Sequence, residues 1–344
     1  MVVERISAFV GDETTDSFGD LTRVAFARQF ESSPPLRRLA VANGVSPETL
    51  ADWRQVPMIP TLSFKSLRLA IDEPLEVFES SGTTGSTPSR HYHPYPDLYR
   101  DVIDATFPAA VLAGHEALPM LSLVPGRQEA PHSSLAFMLD HARSRWGGPG
   151  SQSVAGPRGL DARAARGFLA ARQRDRQPAL ILSTAFALKQ LLEALARLRV
   201  SFRLPPGSRV FETGGYKGQS RELERHELEA AVAHHLGLGG EAIVREYGMT
   251  ELTSHFYGSP GGTEFKVPPW VRTQILDPAT LEIVPLGQPG LLAIFDLANF
   301  GSALHVLTED LAIAGDGGFE LVGRASGAEL RGCSLLSEGL AANS

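Results

Sequence analysis

A single cysteine, Cys333, stands among the 344 residues, so no internal disulfide can form and a disulfide-stapled secreted scaffold is excluded. That scarcity fits a reducing cytoplasm. Long apolar runs are missing as well: the most apolar stretch, 178–188, is about half of the roughly 20 residues that a membrane-crossing helix requires. The start, Met1-Val2-Val3-Glu4-Arg5, soon meets Asp12, Glu13 and Asp16, and has neither the basic start nor the apolar block of an export signal. Basic excess is also lacking. The 32 Lys and Arg face 39 Asp and Glu, a net charge of −7 with no basic stripe, which argues against nucleic acid as a partner. Internal repeats and low-complexity tracts are absent. The expectation is a cytoplasmic protein with no transmembrane segment.

At 43% hydrophobic and 21% charged, the composition is that of a folded globular chain, and its length suits one large α/β domain or two smaller ones. Residues 17–54 read as mainly helical, with Ser46-Pro47-Glu48 offering an N-cap, a proline at the first helical position and an acid in the first turn. Pro57-Met58-Ile59-Pro60 forces an extended connection. A strand at 77–80 runs into Ser81-Gly82-Thr83-Thr84-Gly85, and helices follow at 97–113 and 161–176. Ala179-Leu180-Ile181-Leu182-Ser183 is a continuous apolar run suited to a buried parallel strand. A helix at 188–198, a strand at 209–212, a helix at 220–236 and a strand at 243–247 continue the alternation, which predicts a layered α/β sheet. From about residue 264 to Arg324, short strands with Pro and Gly turns suggest a β-rich subdomain. The expected organisation is a helical segment at 1–76, an α/β core at 77–263, the β-rich part at 264–324 and a short tail at 325–344.

The segment Ser80-Ser81-Gly82-Thr83-Thr84-Gly85-Ser86-Thr87-Pro88-Ser89-Arg90 is the most informative. Its glycines let backbone N–H groups turn toward an anion, and its hydroxyls add donors, so it suits phosphate oxygens. A flexible Ser/Gly linker has a similar composition, but the position directly after an apolar strand argues against one. No lysine follows as in the P-loop of NTPases. A second element, Tyr247-Gly248-Met249-Thr250-Glu251, also ends a strand: its ring can flank a nucleobase, Thr250 can meet a phosphate and Glu251 can help hold Mg²⁺. A third is Thr308-Glu309-Asp310, whose acid could accept two ribose hydroxyls, and a fourth is Gly323-Arg324, with Gly332 eight residues past Arg324. Each alone is weak.

In this order and at these separations, the four elements resemble the adenylate-forming superfamily of acyl-CoA synthetases, luciferase-like enzymes and nonribosomal adenylation domains, over about residues 78–332. The resemblance implies ATP binding by Ser80, Ser81, Gly82, Thr83, Thr84, Gly85, Tyr247, Gly248 and Thr250, a ribose-binding role for Asp310, a hinge-region role for Arg324 and Mg²⁺ on Glu251. Further runs, at 57–65, 80–91, Thr184-Ala185-Phe186, 212–218 and 323–335, look like the acyl-protein synthetase family, the fatty-acid-activating component of bacterial bioluminescence reductase complexes. That likeness implies ATP-dependent formation of an acyl-adenylate, acyl transfer to an enzyme cysteine and onward transfer to a partner such as an acyl reductase or a carrier protein. Thr84, Arg324 and Cys333 would be catalytic.

Two departures stand out. The usual phosphate-loop lysine is absent, Ser89 follows Pro88, and Arg90 is the nearest cation, with different reach and geometry. Only 20 residues follow Arg324, against about 50 for an independent domain, so the usual mobile C-terminal domain is expected to be missing. Cys333 is the natural nucleophile, since a thiolate attacks an acyl-adenylate and leaves a transferable thioester; a small buried apolar residue is the alternative.

The histidines promise less. His91 and His93 are expected to face opposite sides of a strand, and His234-His235 are adjacent on a helix, so neither pair suits a metal. His255 could line the acyl pocket or pack, and Gly214-Gly215 could let backbone approach the substrate or form a plain turn. His226-Glu227 lacks the second histidine of a zinc protease, and no G-x-S-x-G elbow is present. Competing readings are a ligase that delivers acyl groups to CoA or a carrier-protein thiol, and a noncatalytic acyl- or nucleotide-binding subunit of a reductase complex.

Overall fold

Three helices open the chain, and local chemistry sets each start. They are α1 (Val2–Val10), α2 (Phe18–Ser32) and α3 (Pro34–Ala42). The Ser17 hydroxyl accepts the Asp20 N–H at the start of α2, and two prolines begin α3. Ser46-Pro47-Glu48 does not start a helix. The amides of Thr49 and Leu50 return to the Ser46 carbonyl in a turn. Asp52 then caps a short 3₁₀ turn at Trp53–Gln55, and Pro57 prevents helical continuation.

The computed structural model describes residues 1–80, 87–157, 159–214 and 225–325. These fall into two compact units, one made of described residues within 1–105, 249–255 and 264–325, the other of those within 106–248 and 256–263. In the first unit the chain continues through β1 (Ile59–Pro60) to the antiparallel hairpin β2 (Glu76–Glu79) and β3 (Arg90–His93). It leaves along α4 (Pro96–Val111).

The second unit holds β4 (Met120–Ser122), α5 (Ser134–Trp146), β5 (Gln152–Ser153), β6 (Ala155–Gly156), β7 (Gly159–Leu160), α6 (Ala162–Asp175), β8 (Leu180–Thr184), α7 (Ala185–Arg197), β9 (Arg209–Thr213), α8 (Arg225–Leu236), β10 (Ile243–Tyr247) and β11 (Phe256–Gly258). Its sheet runs β11-β10-β9-β8-β4-β5, parallel throughout except for β11. Helices cover parallel strands, which explains the unbroken apolar run of β8. Leu188, Leu191, Leu192 and Leu195 of α7 pack with Phe168 and Leu169 of α6, Leu228 and Val232 of α8, and Ile181, Val210 and Ile243 of the strands. Asp161 and Thr184 cap α6 and α7.

The first unit resumes with β12 (Glu264–Lys266), β13 (Val271–Leu276), β14 (Gly290–Asp296), β15 (His305–Ala314) and β16 (Gly318–Arg324), an antiparallel sheet ordered β13-β14-β15-β16-β12. The extended Ile59-Pro60 adds to it as β1, parallel to β15. Every residue of β14 is buried, so both faces of this central strand are covered. Phe295 shows why: its ring lies 5.7 Å from Phe18, 5.5 Å from Trp53 and 5.6 Å from His305. Among the described residues no helix is long and apolar enough to cross a membrane.

Truncating Phe295 empties the centre of this sheet, so Phe295→Ala is expected to cost about 3–5 kcal/mol in a urea titration. A loss below about 1 kcal/mol would contradict the packing described.

Candidate active site

Ser80 and Ser89 close the neck of the Ser/Thr/Gly loop. The Ser80 amide donates to the Ser89 carbonyl at 3.0 Å, and the Ser89 amide donates to the Ser80 hydroxyl at 2.9 Å. Ser81, Gly82, Thr83, Thr84 and Gly85 lie outside the described residues, as do Gly215 and Cys333. Arg90, the nearest cation to the loop, pairs with Glu79 across the hairpin at 3.0 Å.

The chain leaves β10 at Tyr247, whose ring lies 5.9 Å from that of Phe256. After Gly248 it enters the first unit as a buried turn in which the Leu252 amide returns to the Met249 carbonyl. Side chains satisfy the turn's carbonyls. His91 Nδ1–H donates to the Thr250 carbonyl at 2.8 Å, and Asn299 Nδ2 donates to the Glu251 carbonyl at 3.0 Å. Farther along, Asp296 accepts the Ser254 amide at 2.9 Å and its hydroxyl at 2.8 Å.

His91 and His93 do not diverge as expected from the sequence. Side chains alternate along a strand with period two, so residues two apart share a face, and these rings lie 5.0 Å apart in the buried interior. His255 joins the same cluster: its ring stacks on Tyr99 at 5.2 Å, and its Nε2 is 3.0 Å from the Tyr99 hydroxyl. Burial pushes His255 down to about 3 and His91 to about 4, and it holds His93 well below its ordinary value.

Asp310 and Arg324 face each other across β15 and β16. The Arg324 guanidinium pairs with Glu309. Burial works against its charge, but the Glu309 hydrogen bond and the fields of Glu309, Asp310 and Glu251 outweigh that and hold Arg324 above its ordinary value. Carboxylates from two distant segments, Glu309-Asp310 and Glu251, therefore act on one cation. The Thr308 hydroxyl fixes the approach to Asp310 by accepting its amide at 3.1 Å while donating to the Leu292 carbonyl at 2.8 Å.

In the second unit, Gly214 follows β9 with φ +72°, a left-handed conformation that suits glycine. Thr213 pairs in register with Glu246, and the Thr213 hydroxyl donates to the Glu246 carboxylate. Burial pushes Glu212 up to about 7, against the pull of Arg245 at 3.7 Å.

Glu251, Asp310 and Arg324 thus lie within electrostatic range of one another, and Thr250 is tied to β3, the strand that follows Ser89. Gly214 adjoins the strand that ends in Tyr247-Gly248. Thr253, Asp296 and Asn299, which hold the turn at 250–254, were not singled out from sequence; His91 and His93 were weighed only as a metal pair, and their two-residue spacing was the available signal.

This is the fold of the adenylate-forming ligases. An open form of 2-hydroxyisobutyryl-CoA ligase in complex with 2-HIB-AMP and CoA superposes with a TM-score of 0.63, covering 89% of this chain and 68% of that one at 15% identity. Within that class, residues 169–341, just over half of the chain, match the family model described as acyl-protein synthetase, LuxE, and the chain belongs to that family. A "long-chain-fatty-acid--luciferin-component ligase" of Vibrio harveyi is 31% identical over 137 residues, covering 37% of this chain and 35% of that protein. One of the same name from Aliivibrio fischeri is 25% identical over 138 residues, covering 39% and 35%. The matched stretch spans about a third of these relatives.

The buried histidines set an acid limit. His91, His93, His255 and His305, the last pushed to about 4 by burial, stay neutral in the fold but take up protons near 6.5 when unfolded. Their contribution is lost as pH falls below 6.5. Glu212, near 7, and Asp296, pushed to about 6 by burial, act in the opposite sense, since the fold keeps protons that the unfolded chain releases above 3.8–4.5. Four against two leaves a net uptake of about two protons on unfolding at pH 5.5, so stability should fall by about 2–3 kcal/mol per pH unit there. Urea titrations at pH 6.5 and 5.5 check this, and a stability that is flat or rises on acidification would contradict it.

Proposed function

We propose that the chain activates a carboxylic acid, fatty by its family, as an acyl-adenylate at the expense of ATP, then passes the acyl group to Cys333 and on to a partner protein such as an acyl reductase or a carrier protein. The observation that carries this reading is the gathering of Glu251 and Asp310 around Arg324, beside a turn fixed to the phosphate-loop hairpin. A carboxylate is a poor electrophile. In the first step its oxygen attacks the α-phosphorus of ATP, the bond from that phosphorus to the bridging oxygen breaks, and pyrophosphate leaves.

Bringing two anions together needs donors and cations already in position. The amides and hydroxyls of Ser80, Ser81, Gly82, Thr83, Thr84 and Gly85, with the Thr250 hydroxyl, would hold phosphate oxygens. Arg324 would meet the charge that grows on the α-phosphate, Asp310 would accept the ribose hydroxyls, and Tyr247-Gly248 would flank the adenine. The donor set fits Mg²⁺, which takes one or two carboxylates from a protein and the rest from phosphates and water. Glu251 supplies that hard oxygen, and among the described residues no group of three or more His, Cys, Asp or Glu is arranged to hold a metal alone. Mg²⁺, when bound, would neutralise phosphate charge. Gly214, Gly215 and His255 would border the acid. Arg90 is paired with Glu79 and Arg324 with Glu309; Arg324 lies in the field of Glu251 and Asp310, so the cationic duty of a phosphate-loop lysine would fall to it.

In the second step the Cys333 thiolate attacks the carbonyl carbon, the bond from that carbon to the adenylate oxygen breaks, and AMP leaves. Delivery to CoA is the competing route, favoured by the CoA in the structural neighbour's complex. Labelled fatty acid with Mg·ATP should leave a hydroxylamine-labile label on the protein. Cys333→Ala should lose the label while keeping acid-dependent ATP–pyrophosphate exchange. If Cys333→Ala turns over fully with CoA, the acceptor is external. If no acid supports exchange although ATP binds, the chain is a noncatalytic subunit. Separately, Glu251→Gln and Arg324→Ala should each slow exchange by about 10²–10³-fold; rates within threefold of the parent would remove those residues from the site.

A further inference from the structure

We propose that Thr253 and Asn299 are positioning residues for adenylation, which set Glu251 against the phosphate-loop hairpin through a hydrogen-bond chain of fixed polarity starting at His93. The inference rests on the role proposed for Glu251. Asn299 is buried and commits both amide protons to carbonyls, to Glu251 at 3.0 Å and Ala303 at 2.8 Å. Flipping the amide would set its oxygen against two carbonyl oxygens, so its orientation is determined. Asn299 Oδ1 can then only accept, and it takes the Thr253 hydroxyl proton at 2.8 Å.

With that proton spent, Thr253 Oγ1 must accept from His93 Nε2–H, 3.0 Å away. His93 is thereby the Nε2–H tautomer, and its buried Nδ1 keeps a lone pair with no hydrogen-bond partner among the described residues. That leftover acceptor fits the assignment, because leaving a lone pair bare in an aromatic surrounding costs less than burying an unpaired second N–H. Phe78 and Tyr99 pack on the ring and exclude water.

His91 and His93 share one face of β3, the strand that leaves the phosphate loop. His91 holds the Thr250 carbonyl directly, and His93 reaches the Glu251 carbonyl through Thr253 and Asn299. Two neighbouring residues of the nucleotide motif are therefore registered to the loop's own strand. Asn299 is held in turn: it ends a 3₁₀ turn, Leu297–Asn299, that Asp296 caps by accepting the Ala298 amide at 3.0 Å. A shift of this chain moves the Glu251 main chain, and with it the carboxylate offered to Mg²⁺.

The test is the gain in ATP affinity that Mg²⁺ confers, measured by calorimetry as the ratio of Kd without Mg²⁺ to Kd with it. Thr253→Val keeps the shape and removes the hydroxyl. It should shrink that ratio at least fivefold, with the Mg²⁺-free Kd within twofold of the parent, and slow exchange about tenfold with an unchanged KM for the acid. Thr253→Ser should restore both. If Thr253→Val does not fold, Asn299→Asp, which turns a donor into an acceptor facing the Glu251 carbonyl, should give the same result. A folded variant with an unchanged ratio overturns the proposal, as does an equal loss of affinity with and without Mg²⁺. A parent protein that shows neither acid-dependent exchange nor a Mg²⁺-dependent gain overturns the Glu251 reading and this inference together; a parent that shows both, with variants that do too, overturns this inference alone.

Discussion

A buried turn that belongs to no sheet ladder must find partners for its carbonyls and amides, and the segment 250–254 finds them in side chains. His91 serves the Thr250 carbonyl, Asn299 the Glu251 carbonyl and Asp296 the Ser254 amide. The Asn299 and Asp296 bonds are buried and the His91 bond partly so, and losing a buried one leaves an unpaired polar group that costs about 1–3 kcal/mol. The turn therefore has little freedom to drift. The partners come from distant parts of the chain, His91 from β3, Asp296 from the end of β14 and Asn299 from the turn after it. Through them one short motif draws together the hairpin that carries the Ser/Thr/Gly loop and the β-rich part that carries Asp310 and Arg324.

The charge arrangement depends on that fixed turn. Arg324 gains from Glu309, Asp310 and Glu251 together, and only Glu309 adjoins Asp310 in sequence. Because Arg324 is largely exposed, its pairing with Glu309 adds little to stability. In the proposed reaction it would matter for orientation: a guanidinium already held by carboxylates would need little rearrangement when a nucleotide binds, which is how preorganised electrostatics act. The buried histidines complement this. Neutral and packed on Phe64, Phe78 and Tyr99, they fix geometry without adding charge.

The second unit was the most legible part of the fold. β8 is an apolar run ending in Ser183-Thr184, and α7 carries a leucine face with Thr184 as its cap, so local pattern and tertiary role agree there. The Ser46 turn was misread because a proline and an acid after a serine also suit a short turn. Glu251, Asp310 and Arg324, the residues proposed for the site, were singled out from sequence because their spacing carries the family likeness. The link from His93 through Thr253 to Asn299 was not legible, since no local period relates positions 93, 253 and 299; only the folded chain makes them neighbours. Nor does local composition show that residues 249–255 pack with the first 105 residues rather than with the strand they follow.

The central claim is that one nucleotide meets Glu251, Asp310 and Arg324 together. A crystal structure with a non-hydrolysable acyl-sulfamoyl adenosine tests it most directly. The account predicts the ribose hydroxyls on the Asp310 carboxylate and the sulfamoyl group, standing in for the α-phosphate, within reach of Arg324. An adenosine bound elsewhere, with those side chains turned away from it, would contradict it.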